Sequence, residues 1–156
     1  MNFNKFTIKS QDVVQKAIEI ARSNGNQAIE PLHLLKAVMS ESDPLINFNL
    51  QKLGSSLQII DGAVAREIAS LPRVQGGEPY LSSKSNDVML KAESLAQANG
   101  DEYVSVEMIL LAIFAVQSPA STILKDAGVT EKDLKAAIDE LRKGSKANSQ
   151  SAEDQY

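Results

Sequence analysis

Residues 25–37 read GNQAIEPLHLLKA, and residues 100–112 read GDEYVSVEMILLA. Each stretch opens on the glycine of an Asn-Gly pair, crosses a short polar turn and enters an apolar run, and the two lie 75 residues apart. Around these stretches, Ser10 to Ser40 aligns with Ser85 to Ala115 without a gap, and ten of the 31 pairs are identical. Average composition gives about two. The identities include Asp12 with Asp87, Lys16 with Lys91, Ala21 with Ala96, Gly25 with Gly100 and Leu35 with Leu110. Pro44 continues the match to Pro119, and after a one-residue deletion Leu50 and Gly54 match Leu124 and Gly128. Self-similarity on the scale of about 65 to 70 residues marks a duplicated supersecondary unit.

Within each copy the apolar period is helical. Val13, Val14, Ala17, Ile18 and Ala21 follow Ser10, a good N-cap, and the run stops at Asn24-Gly25, where glycine supplies the left-handed C′ conformation. The second copy repeats this from Ser85 to Gly100. Pro31 opens a second helix carrying Leu34, Leu35 and Val38, and Ser105 caps its counterpart with Ile109, Leu110, Ile113 and Phe114. Pro44 and Pro119 open short third helices ending at Gly54 and Gly128. Fourth helices are expected near Ser56 to Leu71 and Thr130 to Lys143, the latter with a stripe of Leu134, Ala137, Ile138 and Leu141. No stretch alternates with period two. The fold class is therefore all-α: eight helices as two pseudo-symmetric four-helix repeats, about 10–71 and 85–143, with no sheet. Residues 72–84, PRVQGGEPYLSSK, read as a flexible connector, because two prolines and paired glycines do not continue a helix. Residues 144–156, GSKANSQSAEDQY, are too polar to bury and read as a flexible linker.

Composition narrows the function classes. The apolar content of 43% is that of a globular chain, and the net charge of -4 gives no attraction toward nucleic acid or an anionic bilayer. No apolar run approaches the roughly 20 residues of a membrane span, and MNFNKFTIKSQD lacks the apolar core of a signal peptide. Absence of cysteine fits a cytoplasmic location. The only paired glycines, Gly76 and Gly77, precede Glu78 and Pro79, which is no phosphate loop. His33 is the sole histidine, so neither a zinc site nor a serine nucleophile with its base is expected, and His33 reads as a packed or capping side chain. No catalytic, cofactor-binding or metal-ligating residues are expected in this chain. Asp101 and Glu107 flank a helix start, where an acid gains about 0.3 to 1 kcal/mol from the helix dipole. Two readings stay open for them: dipole partners, or the border of a binding surface.

The duplicated helix, IEPLHLL at Ile29 to Leu35, Leu71-Pro72 before a glycine-containing connector, and SAEDQY at the end together resemble the amino-terminal domain of ClpB-type protein disaggregases. The resemblance implies a mobile substrate-binding module of a hexameric ATPase that captures unfolded or aggregated polypeptide and passes it to a central pore. It also implies that ATP and Mg belong to ATPase modules following the linker, that the full-length protein cooperates with the DnaK chaperone system, and that this part alone is monomeric. The family's substrate-contacting positions fall on Thr7, Asp101 and Glu107, beside an apolar groove involving Val88, Met89 and Met108. The related ClpA and ClpC subfamilies use the same fold to dock adaptors or tagged substrates. In the ClpC pattern a glutamate recurs in both repeats, whereas here Glu107 faces Leu32 in the alignment, a departure that favours the disaggregase reading over an adaptor dock. A helical spacer that binds neither is the third alternative.

Overall fold

The computed structural model describes residues 3–41 and 57–155. Seven α-helices lie among the described residues: α1 (Ile8–Ser23), α2 (Pro31–Glu41), α3 (Leu57–Ala69), α4 (Ser83–Ala98), α5 (Val106–Ala115), α6 (Pro119–Asp126) and α7 (Glu131–Arg142). The helix expected from Pro44 to Gly54 and the start at Ser56 lie outside the described residues. Helices α2 and α5 are the paired centre. Val106 to Phe114 is buried on every face, as expected of a helix apolar all round, and Pro31 to Leu35 is buried likewise. Helices α1 and α4 pack against α2 and α5 through Val13, Val14, Ala17 and Ala21 in one copy and Val88, Met89, Ala92 and Ala96 in the other, forming one core shared by the repeats. A single unit of this size is marginal alone, so a shared core is what the duplication supplies.

The two Asn-Gly turns behave as the sequence predicts. Gly25 (φ +74°) and Gly100 (φ +79°) sit at C′ of α1 and α4. Their N–H groups donate to Arg22 and Gln97, and the next residues, Asn26 and Asp101, donate to Ala21 and Ala96. That is the Schellman pattern in both copies. It fixes the backbone of Asn26 and Asp101, and so aims their side chains.

Helix starts differ from expectation by one turn. The N-caps of α1 and α4 are Thr7 and Ser82, whose hydroxyls accept from the N–H groups of Ser10 and Ser85 at 3.1 Å each. Ser10 and Ser85 lie inside the first turn. Their own hydroxyls reach across the pseudo-symmetry axis: Ser10 donates to the Val104 carbonyl (2.9 Å) and Ser85 to the Ile29 carbonyl (2.6 Å).

The absence of any sheet is also corrected. Ala28–Ile29 (β1) pairs in parallel with Tyr80–Leu81 (β2), and Phe6 forms the equivalent parallel bridge with Val104. Each loop thus binds the segment that begins the other repeat's first helix. Pairs this short leave no period-two signal, because their stability is non-local. The connector is tied down by the same device. Val74, Tyr80 and Ser82 donate backbone bonds to Gly25, Gln27 and Ile29, and Asn26 Nδ2 donates to the Pro72 carbonyl.

Candidate functional site

The second Asn-Gly turn, the start of α5 and the end of α7 converge on Arg142, which is 3% exposed. Its Nη1 donates to both Asp101 oxygens (2.7 and 2.8 Å), its Nε to Glu107 Oε2 (2.8 Å) and its Nη2 to Ser105 Oγ (2.7 Å). Ser105 occupies the N-cap of α5, but its hydroxyl caps nothing, because Arg142 holds it. Arg142 is the residue sequence reading missed. The inward stripe of α7 runs Leu134, Ile138, Arg142 at four-residue spacing, while Leu141 is only half-buried. A charge on that stripe was the available signal.

After Arg142 the chain reverses at Lys143 (φ 51°) and Gly144 (φ +86°), and the polar tail crosses the site. The flexible-linker expectation is overturned over this span. Ala147 is buried, donates to Asp101 Oδ1 (3.1 Å), and accepts at its carbonyl from Glu102 and Tyr103 (3.0 and 2.9 Å). The Gln150 carbonyl accepts from the Ile8 N–H at 2.8 Å, Ala152 is buried, and a 3₁₀ turn spans Ala152–Gln155. Composition missed this docking because backbone groups, two small alanines and one acidic side chain make it. At its end Glu153 Oε2 accepts from Thr7 Oγ1 (2.6 Å) and from the Val106 N–H (3.1 Å), so a carboxylate from the tail caps α5 in place of Ser105. Burial pushes the Glu153 carboxyl above its usual range, and Glu107 pushes the same way, against its bonds to Thr7 and Val106. The Oε1 atoms of Glu107 and Glu153 are buried without a hydrogen-bond partner among the described residues.

All six residues expected to contact substrate are therefore interior. Thr7, Val88, Met89 and Glu107 are fully buried, Met108 is 4% exposed and the Asp101 side chain is covered. Val88 and Met89 align with the core residues Val13 and Val14, and the core holds them for the same reason. The structure does bring Thr7, Asp101 and Glu107 together, through Arg142 and Glu153, as one polar cluster. Of the six, Met108 lines an open groove of about 280 Å³ between α4, α5 and α7, and Asp101 borders a separate, more polar one of about 310 Å³ with Lys5, Glu93 and Glu102. Leu95, Leu111 and Ile138 complete the apolar lining of the Met108 groove, with Lys135 and Asp139 at its polar edge.

In the first repeat the same corner is built differently. Leu32 and Ile68 stand where Glu107 and Arg142 stand in the second, and both are buried. Asn26 replaces Asp101 and faces His33, whose Nδ1 accepts from the Glu30 N–H (2.8 Å), leaving Nε2–H to donate to Asn26 Oδ1 (3.0 Å). His33 thus caps α2 as a neutral imidazole, and burial lowers its pKa to about 4. No group of three or more acidic or histidine side chains among the described residues is placed to hold a metal ion, and no single described helix is long and apolar enough to cross a membrane.

The family model for the Clp repeat N-terminal domain matches residues 5–127. Over 156 residues the chain is 56% identical to the chaperone protein ClpB of Bacteroides thetaiotaomicron and 53% identical to that of Porphyromonas gingivalis, covering all of this chain and 18% of each relative. The chain thus spans less than a fifth of the curated relatives it matches. The crystal structure of the Hsp104 N-terminal domain from Candida albicans superposes with a TM-score of 0.85 at 26% identity, over 96% of this chain and 99% of that one. With the match running through both copies of the repeat, the chain belongs to the Clp repeat N-terminal domain family, and within it to the ClpB type.

Proposed function

We propose that this chain captures unfolded segments of client polypeptides, in the groove beside Met108, for ATP-driven threading by modules that follow it in the whole protein. The observation that carries this reading is the position of the groove. Its apolar lining of Leu95, Met108, Leu111 and Ile138 opens in the second repeat, and Asn99, which also lines it, donates to Asp101 of the polar cluster. In this reading Thr7, Asp101 and Glu107 act from behind the surface. They fix the start of α5 and the end of α7, and so the groove's walls, while Val88 and Met89 support it from the core.

Weak capture follows from the dimensions. Each buried Leu- or Phe-sized side chain contributes about 1.5 to 3 kcal/mol and association costs at least about 4 kcal/mol, so a groove taking two or three such groups binds no more tightly than about 0.2 mM. Several copies on one assembly offset that weakness through effective concentration. Titrating the 15N-labelled chain with a permanently unfolded, apolar-rich polypeptide tests the reading. Amide shifts at Leu95, Met108, Leu111 and Ile138 are expected. Shifts confined to a folded adaptor, with none from unfolded chain at millimolar concentration, would replace client capture by adaptor docking; no shifts from either would leave a spacer.

A further inference from the structure

The Glu153 seat is more than an end to the tail. Two donors, the buried Thr7 hydroxyl and the Val106 N–H, point at one carboxylate oxygen, and α5 has no side-chain cap of its own. Leading into the seat, the backbone at Ala147 and Gln150 is bound by Glu102, Tyr103 and Ile8, so the surface reads main chain as well as one acidic side chain. At the outer edge Lys9 pairs with Asp154 at 3.0 Å, where both side chains are partly exposed. The duplicated counterpart lacks this chemistry. Pro31 stands where Val106 stands, and proline has no N–H to offer.

We propose that the junction of Thr7, Lys9 and Val106 is a docking site for a glutamate-bearing peptide segment, which the chain's own Ser151–Asp154 closes from within. An acidic segment of another polypeptide occupies it only when the tail lifts off. A tether of ten residues after Arg142 holds the occupant at an effective concentration on the order of millimolar, so a free peptide competes poorly with the intact tail. The site is separate from the apolar groove. A chain that binds no unfolded polypeptide loses the client reading and keeps this one, and the reverse holds too.

The experiment compares the unaltered 156-residue chain with Glu153→Ala and, as the stronger unseating variant, Ala152→Lys, whose side chain does not fit a buried alanine position. Amide exchange at Ile8 and Tyr103, the donors to the tail, reports seating, and Ile109 in the core reports the fold. Exchange at Ile8 is expected to accelerate by about tenfold or more in the variants, with Ile109 unchanged. A separate peptide of sequence ANSQSAEDQY is then added. Shifts at Thr7, Ile8 and Val106 in the variants, none in the unaltered chain, and none with a peptide whose glutamate is alanine, are the expected pattern. Unchanged exchange at Ile8 in both variants overturns the proposal. So does a variant with Ile8 unprotected and Ile109 protected that still shows no shift at millimolar peptide.

Discussion

The two corners where a first-helix turn meets the start of a central helix share a backbone and differ in what fills them. Both have a Schellman turn, a serine reaching across to the other copy's loop, and a short parallel bridge. In the first repeat the filling is Leu32 and Ile68, with a neutral His33–Asn26 pair beside them. In the second it is Glu107, Arg142 and Asp101, with Glu153 brought in from the tail. The lesson is that duplication supplied a fold twice and left one corner free to be polar. Apolar filling needs no partners, whereas buried charges must be matched group by group.

Breaking the polar corner at its centre should have the largest effect. Arg142→Leu leaves Asp101 and Glu107 buried without their cation, which costs about 3 to 5 kcal/mol. Urea denaturation of the variant measures it. Converting the whole corner to the first repeat's set, Asp101→Asn with Glu107→Leu and Arg142→Ile, should recover most of that loss, since apolar replacements of buried ion clusters are neutral or stabilising by about 1 to 4 kcal/mol. A triple variant as unstable as Arg142→Leu would show that the two corners are not interchangeable.

The first repeat's corner carries its own pH dependence. His33 has a folded pKa of about 4, below the ordinary 6.5. Above 6.5 the ring is neutral folded or unfolded, and its contribution to stability is fully present. As pH falls toward 4 the unfolded chain takes the proton and the folded chain does not, so stability declines through that window by up to about 3 kcal/mol. His33→Gln, which can still accept from the Glu30 N–H and donate to Asn26, should flatten the slope in denaturation midpoints measured across that range. An unaltered slope would assign it to other groups.

What the sequence made legible follows from which interactions are local. The repeat, the Asn-Gly turns and the apolar faces of α1, α2, α4 and α5 depend on neighbours within a few residues. Cap assignment failed by three positions because Ser10 and Ser85 are good caps in isolation and pair at the same 75-residue shift as the true caps, Thr7 and Ser82, so the repeat does not separate the two sets. Thr7, Asp101 and Glu107 were recognisable as a set, yet their burial was not. That depends on Arg142, 35 residues from Glu107, and on Glu153, 146 residues from Thr7. The tail was misread for a different reason: a composition rule weighs apolar side chains, and this segment docks through its backbone, two small alanines and one buried carboxylate.

The cross-axis serines give a smaller test of the shared backbone. Ser10→Ala and Ser85→Ala each remove one bond to a carbonyl that keeps another donor, Thr7 N–H at Val104 and Ser82 N–H at Ile29. Each should cost about 1 kcal/mol in thermal or chemical denaturation, and by similar amounts. A twofold or larger asymmetry would mean that the two bridges do not contribute equally, the Ser10 hydroxyl also standing 3.0 Å from Thr7 Oγ1.

The smallest expected effect separates the corners by sign. At the first, acid weakens the capped imidazole; at the second, acid should strengthen the Glu153 seat. Burial first, and the neighbouring Glu107 carboxylate, raise the Glu153 carboxyl above its ordinary value of 4.5, while Thr7 and Val106 pull the other way. Arg142 faces Glu107 and Asp101, and Lys9 faces Asp154. A raised folded pKa means that the protonated side chain is the one the seat prefers. The stabilisation is present below 4.5 and is lost as pH rises through the folded value. Ile8 amide protection, corrected for intrinsic exchange, should therefore fall as pH rises above 4.5. Glu153→Gln should hold the tail seated at neutral pH, because its carbonyl accepts from Thr7 and Val106 and its amide adds a donor beside Glu107. Protection that instead rises with pH, or a glutamine that unseats the tail, would show that the seat prefers the charged carboxylate. The two corners would then differ in filling but not in their response to acid.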